Sequence, residues 1–165
     1  MGLTIKSILL AADLSTAGSY LLDYALNLAQ KHQAKIHIIY GVDIMKFNAQ
    51  STAELYMSQI ELKDSIENLL QEHESHIRGQ LESVCHERLM KLRASESLIA
   101  GIDIERKPPT QAIMDAVAVY HADLIVMGAQ RQLGLNNTRL GSITTKVLNK
   151  ATVPVLVVKG VEDRT

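Results

Sequence analysis

The chain has 165 residues, 47% of them apolar and 21% charged, and its 17 Lys and Arg against 18 Asp and Glu leave a net charge of −1. That is the size and balance of one globular domain, so residues 1–165 are read as a single unit rather than a disordered chain. The near-zero charge argues against a protein that grips nucleic-acid phosphates, the lone Cys85 excludes an internal disulfide, and no apolar run approaches the ~20 residues that span a bilayer.

Met1 to Leu10 carries one Lys and a short apolar stretch without a signal-peptide plan, so the expected setting is the cytoplasm. Ile5 to Ala11 is the first apolar run. A helix starting on Ser15 or Thr16 follows it, with Leu21, Leu22, Ala25, Leu26 and Ala29 on one stripe. Ile36 to Tyr40 is the second run, and Val42 to Ala53 is a long connection. Glu54 to Leu98 then reads as one extended helical stretch, with Gly79 as its expected weak point. Ile102 to Arg106 alternates apolar and polar, the mark of a more exposed edge strand. Thr110 is placed to cap a helix carrying Ile113, Met114, Val117 and Ala118. Leu124 to Met127 follows as another apolar run. Ser142 is placed to cap the last helix, and Val153 to Val158 closes the series, with Pro154 hinting at an edge.

Runs that are apolar at every position suit strands covered on both faces. Alternating strands and helices imply right-handed crossovers and helices on both sides of the sheet. The expected fold is therefore α/β, a five-stranded parallel sheet of order 3-2-1-4-5. In such sheets ligands sit beyond the carboxyl ends of the strands, where the strand order reverses. Here that point lies between the first and fourth strands, beside Ala12-Asp13-Leu14-Ser15 and the segment Gly128 to Ser142.

Gly128 lets a ligand approach the backbone, and Gly141-Ser142 opens a helix whose N–H groups and dipole favour an anion. The loop between them carries Arg131 and Arg139 and no acid. Asp13 is suited to accept hydrogen bonds from a base or a ribose. Each feature also has a plain structural reading as turn or cap chemistry, and Asp13 reads equally as a helix cap. Their convergence on one crevice favours a nucleotide.

The remaining chemistry is sparse. Glu72, His73 and His76 have helical spacing without a second ligand cluster and read as a solvated face. Cys85 beside His86 reads as a core thiol. Leu10 to Thr16 contains no glycine, which excludes a dinucleotide-binding turn, and no G-x4-G-K-[ST] match occurs.

The stretches Ala122 to Gly128, Gly141 to Thr144 and Val153 to Lys159 resemble the C-terminal half of a universal stress protein. Ile8 to Ser15 is similar to that family's first strand and its aspartate, and Ile36 to Asp43 to its second strand. The resemblance implies a Rossmann-like, adenine-nucleotide alpha hydrolase-like fold. It also implies a stress-response regulator that binds ATP, alone or with magnesium, and acts on a protein partner that the residues do not identify. ATP-binding members share G-x2-G-x9-G-[ST]; Gly128, Gly141 and Ser142 match it, whereas Arg131 stands at the second glycine. The resemblance places Ala12, Asp13, Gly41, Val42, Met127, Gly128, Arg131, Arg139, Gly141, Ser142 and Ile143 at the nucleotide, with Gly41 where binding members often have valine and Lys107 where they often have glycine. It implies a homodimer through the last strand, at Val155 and Val157, and no activity beyond weak ATP hydrolysis. The rival readings are a dimeric interaction module that has lost nucleotide binding, which Arg131 suggests, and a slow ATPase.

The charge of −1 is itself a cancellation. From Leu124 to Val161 there is no acid, yet Arg131, Arg139, Lys146, Lys150 and Lys159 are all present. This basic segment favours one small anion over nucleic acid.

Overall fold

The computed structural model describes residues 2–15, 18–50, 59–129 and 140–159, with the backbone alone at 48–50 and 59–62. The strands are β1 (Ser7–Ala11), β2 (Lys35–Gly41), β3 (Ile99–Glu105), β4 (Leu124–Gly128) and β5 (Val155–Val158). The helices are α1 (Gly18–His32), α2 (Ile44–Gln50), α3 (Gln59–Leu92), α4 (Pro109–Val119) and α5 (Ser142–Lys150), with a 3-10 turn at Glu96–Leu98. The sheet runs β3-β2-β1-β4-β5, all parallel, in the expected order.

Strand residues alternate between two cores because successive side chains leave opposite faces of a sheet. Ile8 and Leu10 pack with Leu21, Leu26 and Ile77 on the side of α1 and α3. Leu9 and Ala11 pack with Ile113, Ile125 and Val147 on the side of α4 and α5. Leu9 and Ile125 are fully buried, and removing such a side chain from water contributes roughly 1.5–3 kcal/mol. Both faces being covered is why these strands read as unbroken apolar runs. β3 is the half-exposed edge that its alternation implied.

α1 is described from Gly18, where a Cβ would lie 1.8 Å from the Asp13 carbonyl oxygen; Thr16, one of the two expected starts, lies outside the described residues. Two local expectations are corrected. α3 is continuous through Gly79, whose added Cβ would meet nothing within 4 Å, and it ends at Leu92 rather than Leu98. α4 and α5 are capped by Pro108 and Gly141, not by Thr110 and Ser142, with Pro109 at a first-turn position where its missing N–H costs nothing. The connection after Val42 holds a short helix, whose Lys46 N–H donates to the Asp43 carboxylate at 3.3 Å.

At the amino ends of the strands, Asp123 accepts the backbone N–H groups of Lys6 and Ser7 at 2.8 and 2.9 Å and ties β4 to β1. Along the edge, Arg106 holds α3 against β3 through Glu67 at 2.9 Å and Glu74 at 2.5 Å.

Candidate functional site

The chain leaves β1 through Ala12, whose N–H still donates to the Ile39 carbonyl at 2.9 Å and so extends the ladder one residue past the strand. Asp13 then turns: its Oδ1 accepts the Ser15 N–H at 2.8 Å. The other carboxylate oxygen, Oδ2, faces β4, since a Cβ built on Gly128 would stand 3.8 Å from it. That Cβ would make only ordinary contacts with Leu21 and Asp13. Protein packing therefore does not demand glycine at 128, and the missing side chain leaves room for a ligand atom.

Gly141, just before α5, donates its N–H to the carbonyl of Ala129, just after β4, at 3.1 Å. Thr144, fully buried in α5, donates its hydroxyl to the Gly128 carbonyl at 2.9 Å. Gly141 caps α5 without a side-chain hydrogen bond, so the N-terminal dipole of this helix is not met by a capping side chain.

Between these elements lies a crevice of about 210 Å³ lined by Ala12, Asp13, Tyr40, Gly41, Pro109, Ile113, Met127, Gly128, Ile143 and Thr144, among others. Burial pushes the Tyr40 phenol above its ordinary value, and the nearby Asp13 charge adds to the shift, so this ring stays neutral. Gly41 has a steric reason: a Cβ there would come within 2.7 Å of Pro109 Cα and 2.9 Å of the Lys107 carbonyl oxygen. The Lys107–Pro109 backbone thus occupies the space a side chain at 41 would need. The Lys107 ammonium is committed to Asp115 at 2.9 Å.

Of the expected site residues, Ala12, Asp13, Gly41, Met127, Gly128 and Ile143 line this crevice. Gly141 is buried and Ser142 exposed at the start of α5 nearby. Val42 is not among the residues lining this crevice. Its side chain is 4% exposed in the core on the α1 and α3 side, because it follows Gly41 and must leave the opposite face. Arg131 and Arg139 lie outside the described residues. Sequence reasoning missed Tyr40, Pro109, Ile113 and Thr144. The first three were findable as the residues at or just beyond the strand ends and the facing turn of α4; Thr144 needed the fold. Among the described residues no cluster of three His, Cys, Asp or Glu is placed to hold a metal, and no helix is long and apolar enough to cross a membrane.

The model of the universal stress protein family matches residues 4–159. A universal stress protein of Methanocaldococcus jannaschii is 29% identical over 157 residues, 93% of this chain and 82% of that one. A universal stress protein A homolog of Haemophilus influenzae is 30% identical over 153 residues, 93% of this chain and 95% of that one. Among solved structures, the universal stress protein UspA of Lactobacillus plantarum superposes with a TM-score of 0.72 at 23% identity, covering 95% of this chain and 99% of that one. A universal stress protein solved in complex with cAMP superposes with a TM-score of 0.61 at 19% identity, covering 95% and 98%. On the family match across nearly its whole length, this chain belongs to the universal stress protein family.

Proposed function

We propose that the protein is a stress-response regulator of the cytoplasm that binds an adenine nucleotide, ATP alone or with magnesium, in the crevice between β1 and β4. The observation that carries this reading is Asp13 Oδ2 facing a Gly128 whose missing side chain packing does not require. A base fits between Tyr40, Pro109, Ile113 and Met127, with Asp13 accepting from the ribose hydroxyls. The phosphates pass Gly128 towards the amino end of α5; Arg131 and Arg139 are the cations that the sequence carries between the two. The cAMP bound by one relative supports an adenine nucleotide as the ligand class.

The functional unit in this reading is a homodimer through β5. Val155 and Val157, half-buried against the α4 and α5 core, lie on an edge strand whose described pairing is with β4 alone. An apolar edge of this kind favours pairing with another strand. Nucleotide occupancy then reaches a protein partner through the dimer, and binding rather than turnover is the activity. Calorimetric titration of ATP, with hydrolysis followed in the same sample, tests the reading. Binding without release of phosphate supports it, turnover promotes the slow ATPase, and no binding at millimolar ATP promotes the interaction module.

A further inference from the structure

A second and larger cavity, about 790 Å³, lies on the other face of the sheet, between α1 and α3. Ligand pockets usually enclose ~300–1,000 Å³, so this cleft has the size of a small-molecule site. We propose that it binds a small amphipathic cation, an apolar body carrying a protonated amine.

The floor is apolar and buried: Leu10, Leu22 and Ile38 are at most 3% exposed. Cys85 continues that wall as a neutral thiol, since burial pushes it up to about 11. The lip is hydrophilic and exposed along α3, where Ser83 and Glu87 stand one turn apart. Gly79 belongs to the same lip. It sits inside a long unbroken helix with open space where its side chain would be, at a cost of about 1 kcal/mol relative to alanine, and the packing of the fold gives no reason for it. A ligand lying against α3 does.

Charge selects the ligand's sign. Arg88 and His76 also line the cleft; the Arg88 charge is offset by the Asp23 carboxylate at 3.5 Å, although Arg88 Nε and Asp23 Oδ1 are buried without a hydrogen-bond partner of their own. Glu87 and Asp13 are the acids of the lining, and neither forms a salt bridge among the described residues; the Asp13 carboxylate is held by the Ser15 N–H and turned towards Gly128, so Glu87 is the acid left to meet a ligand of this cleft. Among the described residues the Glu87 carboxylate is therefore the charge at the lip without an opposite partner, beside an apolar floor, which favours an ammonium head and disfavours a carboxylate or phosphate. The segment Ala12–Ser15 lines this cleft and the crevice alike, so the two sites share the Asp13 turn as a wall.

The test titrates phenylbutylammonium, phenylbutanol and phenylbutyrate into the full chain by calorimetry. The ammonium is expected to bind tightest and the carboxylate weakest. Glu87→Gln should weaken the ammonium about fivefold and leave the alcohol unchanged. Gly79→Leu, which fills the cleft and raises helix propensity, should fold and lose ammonium binding more than about tenfold while retaining whatever ATP binding the wild type has. Absence of ammonium binding at millimolar concentration, indifference to Gly79→Leu, or equal binding of phenylbutyrate would overturn the proposal. So would a Gly79→Leu chain whose assembly mass changes without any ammonium isotherm in the wild type, which would make the cleft a contact between copies.

Discussion

The Thr144 hydroxyl donates to the Gly128 carbonyl at 2.9 Å, from a side chain with no solvent exposure. This bond joins the last residue of β4 to the first turn of α5, the two elements that flank the crevice, so it sets the distance between the strand end and the helix terminus.

Thr144→Val keeps the shape and removes the donor, leaving a carbonyl without its partner. Such a loss costs about 1–3 kcal/mol. Urea denaturation should show a drop of that size, ATP affinity should fall with it, and Thr144→Ser should restore most of both.

Gly41 tests the opposite relationship, where space is already filled. Gly41→Val would bring a Cβ within 3.0 Å of three backbone atoms of Lys107 and Pro109. Backbone cannot step aside as a flexible side chain can, so overpacking of about 1–3 kcal/mol is expected. A lower denaturation midpoint together with altered nucleotide affinity is the predicted result.

The clamp on α3 gives a pH dependence. Hydrogen bonds from Arg106 and Gln71 hold the Glu67 carboxyl below its ordinary value of about 4.5. A carboxyl depressed in the folded state contributes stability that is present above its unfolded value and lost as pH falls through the folded one. Acid unfolding should therefore deepen below about pH 4.5, and Arg106→Met should flatten the stability curve in that window while leaving its shape near neutrality unchanged. Chemical denaturation at stepped pH checks this.

The strands were legible because coverage on both faces makes every position apolar, as with Leu9 and Leu10 feeding opposite cores. Helix ends were not. α1, α3 and α4 stop on Gln33, Arg93 and His121, each in the left-handed region with φ between 48° and 53°. In each case the next residue, Ala34, Ala94 or Ala122, donates its N–H back to a carbonyl five residues earlier. Glycine is the usual signal for that geometry, and none of the three carries it. Asp13 and Gly128 were legible as polar and glycine punctuation at strand ends. Thr144 was not, because its role depends on a carbonyl 16 residues away. The pairing of Gly41 with Pro109 depends likewise on how the β3 to α4 connection folds over β2.

Nucleotide binding at Asp13 and Gly128 is tested most directly by calorimetric titration of ATP and magnesium into the wild type and Gly128→Leu. The wild type should bind, and Gly128→Leu, which fills the space opposite Asp13 Oδ2, should lose at least about tenfold in affinity, or 1.4 kcal/mol. Equal affinity in the two proteins, or no heat from the wild type at millimolar ATP, would contradict it.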